Sequence, residues 1–365
     1  MSAVSGRFPE FPWDTIADAK ATAEAHPDGI VDLSIGTPVD PAPAVAREAL
    51  AAASDAHGYP TVLGPESLRQ SAVDWLARCF DVTGLDAGNV LPVIGSKELI
   101  ANLPIQLGIG AGDVVVFPEL AYPTYEVGAR FAGATPVAAD HPGDYGDVVP
   151  ALVYINSPAN PNGRILGKDE LRELVRWARA HDVLLVSDEC YLDFAWEGTP
   201  YSVLHPDVCE GSFDGLLAVH STSKRSNLAG YRGSFVAGDR AVVAELLAVR
   251  KHLGFMMPAP VAAAMTAVLT EDTHVAAQRA LYAARRHDLR QALEGAGFTI
   301  SDSEGALYLW ATRGEACRDT VAWLAERGIL VAPGEFYGPS GAQHVRVAFT
   351  ATDERIAAAV ARLGA

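Results

Sequence analysis

Cysteine is scarce in this chain of 365 residues: Cys79, Cys190, Cys209 and Cys317 are the whole set, far apart and without a CxxC pair. That spacing argues against a disulfide framework or a zinc site and suits a reducing cytosol. Positive charge is also short, with 28 basic residues against 45 acidic ones and a formal net charge of −17. Such a chain repels nucleic acid and anionic membrane surfaces. It carries no Lys/Arg-rich arm, so an anionic ligand must meet locally placed cations. No apolar run is long enough to span a bilayer, and the opening MSAVSGRFPEFPWD lacks a signal-peptide core. There is no repeat and no low-complexity segment, and Gly (33) and Pro (23) are ordinary in number. What remains is an α/β enzyme expected in the cytoplasm, without metal, membrane or nucleic-acid partners, and long enough for one large domain and one smaller one.

Short apolar runs alternate with helical patterns. Val90–Ile94, Val114–Phe117, Leu152–Ile155, Val183–Val186, Leu216–Val219 and Ser234–Ala237 read as strands. Helices are expected over about 97–107, 123–131 and 169–181, the last with Leu171, Leu174, Val175 and Ala178 on one face. Continuously apolar strands separated by helices predict a mostly parallel sheet covered on both faces. This places a large domain at 41–254. Leu307–Trp310, Ile329–Val331 and Val345–Phe349 read as strands of a smaller α/β domain built from 255–365 together with 1–40.

In an open parallel sheet, ligands bind at the carboxyl ends of the strands, and several polar residues fall there. Asp188 follows VLLVS, with Tyr191 three residues later. Taken singly, Asp188 fits a loop or capping aspartate as well as a buried carboxylate paired with a cation. LLAVHSTSK ends in Lys224, a residue type that forms a Schiff base when it sits in a dry pocket. Ser221, Ser223 and Arg232 suit a phosphate. In VLPVIGSKE, the backbone amides of Gly95, Ser96 and Lys97 open a helix, which is also a phosphate-binding geometry or an ordinary cap. Asn160 lies in the NPNG turn, and Tyr122 follows another strand. Arg346, in HVRVAFT, fits an edge-strand arginine or a clamp on a carboxylate.

The whole set, in this order, resembles the class I/II aminotransferases of fold type I, nearly end to end. The resemblance implies pyridoxal 5′-phosphate as cofactor, with Lys224 carrying it and moving the reaction's proton. Asp188 would pair with the ring nitrogen, and Tyr191 and Asn160 with the phenolic oxygen. Tyr122 would stack on the ring. Ser221, Ser223, Arg232 and the amides of Gly95, Ser96 and Lys97 would hold the phosphate. Tyr59, in GYPTVLGPESLR, would reach the site of a partner subunit, which implies a homodimer with shared sites. Arg346 would bind the substrate α-carboxylate with the backbone of Gly36 and with Asn160. The chain departs from the family pattern at Asn162, where NPTG is usual. It departs again after Arg232, where Gly233 and Ser234 replace a small aliphatic residue and glycine.

FPWDTIADAK, VDLSIGTPVDP, VLPVIGSKEL, PELAYPTYEVGA, HSTSKRSNLAGYRG and APGEFYGP are similar to the actinobacterial-type N-succinyl-LL-diaminopimelate aminotransferases. That resemblance implies transfer of an amino group from N-succinyl-LL-2,6-diaminopimelate to 2-oxoglutarate. Lys97, Arg225 and the Arg250-Lys251-His252 cluster are candidates by residue type for the distal carboxylate or succinyl group. Other class I/II aminotransferases, acting on aspartate or aromatic amino acids, and a C–S β-lyase on the same fold share the cofactor residues. A non-catalytic cofactor-binding regulator fits poorly with so acidic a chain.

Overall fold

The computed structural model describes residues 6, 8–146 and 148–364. In chain order its strands are β1 (Val31–Asp32), β2 (Val90–Val93), β3 (Val114–Phe117), β4 (Thr135–Ala138), β5 (Leu152–Asn156), β6 (Leu184–Asp188), β7 (Leu216–Ser221), β8 (Ser234–Gly238), β9 (Thr299–Ser301), β10 (Tyr308–Thr312), β11 (Ile329–Leu330), β12 (Ala332–Pro333) and β13 (Val345–Ala348). These strands, with helices between them, build the expected α/β architecture.

A seven-stranded sheet runs β2-β8-β7-β6-β5-β3-β4. The expected parallel sheet is there with one exception: β8 runs antiparallel to both its neighbours. Strands β5, β7 and β8 are buried along their whole length, and β6 from Leu185 onward, as continuous apolar runs require. Alternate residues feed two cores. Val153, Leu185, Ala218 and Phe235 join the core on one face, while Tyr154, Val186, Leu217 and Val236 join the other. The period-2 geometry of a strand dictates this division. The helix Lys168–Ala180 buries the four apolar residues expected of it, Leu171, Leu174, Val175 and Ala178. Strand β4 was not legible in advance: TPVA is short, largely unburied and carries Pro136, as edge strands do.

A four-stranded antiparallel sheet, β12-β13-β10-β9, builds a third core with Leu307, Leu309, Val345 and Val347. Of the run Ile329–Val331, expected as a strand, Ile329–Leu330 forms β11, and Val331 lies between it and the separate strand β12. β11 pairs in parallel with β1 near the N-terminus, and β12 pairs with β13. The N-terminal segment is thereby stitched to the C-terminal third. Asp40 reinforces the join by accepting from Arg285 Nη1 and Nη2 at 2.7 and 2.8 Å. Arg285 lies on the long helix Thr273–Gly295. Among the described residues, no helix is long and apolar enough to cross a membrane.

Candidate active site

The carboxyl ends of β5, β6 and β7 bring Asn156, Asp188 and Ser221 to one edge of the sheet. Because β8 is antiparallel, its amino end lies at that same edge, and Ser234 pairs with both Ser221 and Val93. That one reversal carries Arg232, two residues before the strand, back to the side of the Gly95-Ser96 turn. The approach is so close that a Cβ at Gly95 would collide with the Arg232 guanidinium, and Gly95 also has φ +102°. Only glycine fits both demands. Ser96 then opens the helix Ser96–Gln106, with Gly95 as its N-cap.

These elements wall a cleft of about 520 Å³. Gly36, Ser96, Lys97, Tyr122, Asn160, Asp188, Tyr191, Ser221, Ser223, Lys224, Arg232 and Arg346 all line it. Gly95 lies directly behind Arg232. Of the residues expected around the cofactor, Tyr59 lies elsewhere: it is 97% exposed and does not line the cleft. Its lining holds four cations, Lys97, Lys224, Arg232 and Arg346, against one carboxylate, Asp188. In a chain of net charge −17, this is the local reversal an anionic ligand needs.

Lys224 sits on the single helical turn Thr222–Arg225 after β7, and its Nζ donates to the Gly36 carbonyl. Burial holds its pKa below the ordinary lysine value; Tyr308 nearby opposes the shift, while Arg346 and Arg232 add to it. Ser221, Ser223 and Ser234 form a hydroxyl chain with Oγ–Oγ distances of 2.9 Å. Arg346 is buried, donating from Nη1 to Asn160 Oδ1 and from Nη2 to the Ser34 carbonyl, both at 2.7 Å. Its Nε has no partner among the described residues. Asn160 is held in turn by its amide donating to Asn156 Oδ1 at 2.8 Å.

Asp188 is buried, and its Oδ2 accepts from the Tyr125 hydroxyl at 2.9 Å while Oδ1 accepts from the Cys190 amide at 3.2 Å. Burial raises its pKa, and these two neutral donors pull it back only in part. No Lys, Arg or His among the described residues compensates it. A buried carboxylate without a protein cation calls for one from a ligand. Together with the depressed amine of Lys224, the hydroxyl chain and Arg232, this donor set fits pyridoxal 5′-phosphate, with its protonatable ring nitrogen, aldehyde and phosphate.

The comparisons agree. A family model described as aminotransferase class I and II matches residues 28–363. The chain belongs to this family. It is a pyridoxal 5′-phosphate aminotransferase of fold type I, acting on amino acids and 2-oxo acids. It is 64% identical over 360 residues to the probable aminotransferase Rv1178 of Mycobacterium tuberculosis, covering 99% of this chain and 86% of that one. It is 58% identical over 356 residues to the 4-dedimethylamino-4-oxo-anhydrotetracycline transaminase OxyQ of Streptomyces rimosus, covering 98% and 99%. An LL-diaminopimelate aminotransferase of Gloeobacter violaceus is 31% identical over 382 residues, covering 98% and 96%. The crystal structure of an aminotransferase from Neisseria meningitidis matches with a TM-score of 0.88 at 28% identity, covering 100% of this chain and 98% of that one.

Two of the candidates for a distal substrate group are corrected by this aminotransferase's structure. Arg225 is buried against Asp272 and Asp193 and lies 5.2 Å over the Trp75 ring. Arg250 is fully buried and bidentate to Glu98 at 2.8 and 3.0 Å. Both guanidiniums are consumed inside the protein, because neighbouring carboxylates far away in sequence reach them first. Lys251 and His252 are exposed at the end of the helix Arg240–Leu253, outside the cleft. Lys97 alone of these lines it, its Nζ 5.8 Å from the Tyr122 ring and 6.0 Å from the Phe11 ring.

Sequence reasoning passed over Tyr125, Cys190, Asn156, Tyr308 and Trp13, which also line the cleft. Tyr125 lies in the first turn of the helix Thr124–Ala132, and Tyr122 precedes that helix, their rings 6.3 Å apart. Tyr308 had no signal of its own, since LYLW reads as an apolar strand.

Proposed function

We propose that this aminotransferase takes N-succinyl-LL-2,6-diaminopimelate as amino donor and 2-oxoglutarate as acceptor. The observation that carries this reading is Lys97: an exposed ammonium in the cleft wall, without a carboxylate partner among the described residues. It is available to a second anionic group once Arg346 has taken the α-carboxylate. The kinship with LL-diaminopimelate aminotransferases supports a substrate of that class. The higher identity to OxyQ favours a second reading, amination of a ring ketone of the kind that enzyme's name describes.

In the proposed site, pyridoxal 5′-phosphate supplies the electron sink when bound. Lys224 would hold it covalently until the incoming substrate amine displaces Nζ, and the freed amine would then take and return the proton of the substrate's Cα; its depressed pKa keeps it able to do so. Asp188 keeps the ring nitrogen protonated by opposite charge, and Tyr125 fixes the carboxylate that does it. Tyr122 covers the ring. Ser221, Ser223, Arg232 and the amides of Gly95, Ser96 and Lys97 hold the phosphate. Tyr191 and Asn160 donate to the phenolic oxygen. Arg346, with Gly36 and Asn160, orients the substrate so that its Cα–H bond faces Lys224. Residues 41–254 form the large domain and 1–40 with 255–365 the small one, a division supported by the β1–β11 pairing, except that Met257, Ala262, Met265 and Leu269 pack into the core of the large sheet and carry its boundary past the helix Ala259–Leu269. Two chains share sites through Tyr59.

The test is a half-reaction on cofactor-loaded protein, followed by loss of the visible absorbance of the bound cofactor. N-succinyl-LL-diaminopimelate, glutamate, aspartate, phenylalanine and an amino-anhydrotetracycline are each supplied in turn. Fast conversion by the first two and slow conversion by the others is expected. Conversion chiefly by another amine discards the substrate but keeps the mechanism. Pyruvate and ammonia released from a cysteine conjugate would move the enzyme to the β-lyases. Lys224→Ala should abolish both turnover and visible absorbance, and undiminished turnover overturns its role.

A further inference from the structure

The hydroxyl chain beside Arg232 has a direction. Ser234 Oγ donates to Ser221 Oγ, and Ser221 Oγ donates to Ser223 Oγ, each at 2.9 Å. The Ser223 amide also donates to Ser221 Oγ, at 3.2 Å. Ser221 and Ser223 line the cleft, whereas Ser234 does not and is completely buried. A hydroxyl sealed off from water must spend its hydrogen on a protein partner or bear the cost of an unmade bond. For Ser234 that partner is Ser221. A hydroxyl oxygen accepts two bonds, and Ser221 Oγ takes both, from Ser234 and from the Ser223 amide. Ser223 therefore cannot donate back to Ser221. Its own hydrogen is left for the cleft, and the bonds behind it polarise one another in the same direction.

Ser234 stands where the family pattern has glycine, two residues after the arginine. The pairing of β7 with β8 explains how a hydroxyl fits there. Ser234 lies directly opposite Ser221 in the antiparallel ladder, a cross-strand position at which two hydroxyls meet. Gly233 makes the room. A Cβ on it would collide with Met265 Sδ and Cγ and press on Thr222 Oγ1, and Thr222 Oγ1 donates to the Gly233 carbonyl at 2.9 Å. The two departures from the family pattern form one device. Gly233 lets β8 close against the turn that carries Lys224, and Ser234 then sets a donor behind Ser221.

We infer that Ser234 is a positioning residue for the cofactor phosphate: it orients the hydroxyls of Ser221 and Ser223 so that Ser223 presents its hydrogen to the cleft. The role rests on the proposal that Ser221 and Ser223 hold that phosphate. Ser234 acts only through Ser221, from behind the cleft wall.

The experiment compares pyridoxal 5′-phosphate with pyridoxal, which keeps the ring and the aldehyde and lacks the phosphate. The full-length chain freed of cofactor is titrated with each, and binding is read from the visible absorbance. Ser234→Ala should weaken pyridoxal 5′-phosphate about fivefold, the worth of one hydrogen bond, and leave pyridoxal unchanged. Made on top of Ser221→Ala, the same substitution should bring no further loss, because the oxygen it acts on is gone. A merely structural serine would weaken both ligands alike, or neither, and either result overturns the inference. An undiminished loss in the Ser221→Ala background overturns it too. Each of these results leaves the proposed function standing if Ser221→Ala alone weakens pyridoxal 5′-phosphate more than pyridoxal. If Ser221→Ala weakens both equally, the phosphate site falls and the role of Ser234 with it. Should Ser234→Ala fail to fold, Ser234→Gly restores the residue usual in the family, and the same selective loss is expected of it; a loss without that selectivity counts against the role.

Discussion

Neighbouring residues at the end of β6 go to opposite faces and lead different lives. Asp188 points toward Tyr125 and the cleft. Glu189 lies on the other face, with His220 at 3.4 Å, the Trp75 ring 5.2 Å from that imidazole and the Val203 amide donating to Oε1 at 2.7 Å. Both Glu189 and His220 are almost completely buried. Burial raises Glu189 to about 7 and lowers His220 to about 3, so between those two values both are neutral in the folded protein. Between its ordinary value and about 7, Glu189 ionises in the unfolded chain before it does in the folded one, and it withdraws stability as pH rises. His220 does the opposite, withdrawing stability as pH falls below the ordinary histidine value. In Glu189→Gln the rising-pH loss is gone. Its melting temperature relative to the unsubstituted protein should therefore climb as pH increases from about 5 to about 8; thermal melts across that window check it, and a constant difference would refute the neutral pair. The opposite faces of Asp188 and Glu189 were implicit in VLLVSDEC, since side chains alternate along a strand. That His220 would be Glu189's neighbour was not, because it depends on the pairing of β6 with β7.

At the scale of elements, the N-terminal segment does two jobs with residues ten or fewer apart. Val31–Asp32 pairs with β11, Gly36 forms part of the cleft, and Asp40 anchors the end of the stretch on Arg285. Arg285 also donates from Nε to Asp353 at 2.6 Å, and Gln278 donates to Asp40 at 2.8 Å. The bonds from Arg285 and Gln278 outweigh burial and hold the Asp40 carboxyl below the ordinary aspartate value. Its contribution is present above that ordinary value and disappears as pH falls through the folded one. Asp40→Asn should cost roughly 2 kcal/mol at neutral pH, because a buried guanidinium loses a charged partner. The stability curves of the variant and the unsubstituted protein should converge in acid, which urea unfolding at several pH values measures. Parallel curves would show that the Arg285 pair contributes no pH-dependent stability.

At the scale of the whole molecule, the surplus of acidic charge and the cationic cleft belong to one arrangement. A positive pocket in a chain of net negative charge draws anionic substrates inward. Tyr59 belongs to this scale as well. A tyrosine that is 97% exposed in one chain gains its purpose if a second chain covers it. Light scattering on the holoenzyme should report twice the 38.5 kDa of the chain. Tyr59→Phe should weaken cofactor retention by about 1 kcal/mol, the worth of one hydrogen bond, measured as faster loss of visible absorbance on dilution. A fully active monomer would rule out the shared site.

The sequence by itself determined the chemistry: which residues stand at strand ends, the apolar periodicity of β5 to β7 and of the helix Lys168–Ala180, and the ordered motifs from Gly95 to Arg346. These are local patterns, set by the geometry of strand, turn and helix. The tertiary structure decided what depends on which distant segments meet. It turned β8 antiparallel so that Arg232 returns to the Gly95 turn, and it placed β11 and β12, one residue apart, in two different sheets. Arg225 and Arg250 were withdrawn into internal ion pairs while Lys97 stayed in the cleft. Tyr308 was placed between Arg346 and Tyr191. Each outcome is a competition among partners remote in sequence, and burial and charge settle that competition only once the chain is packed.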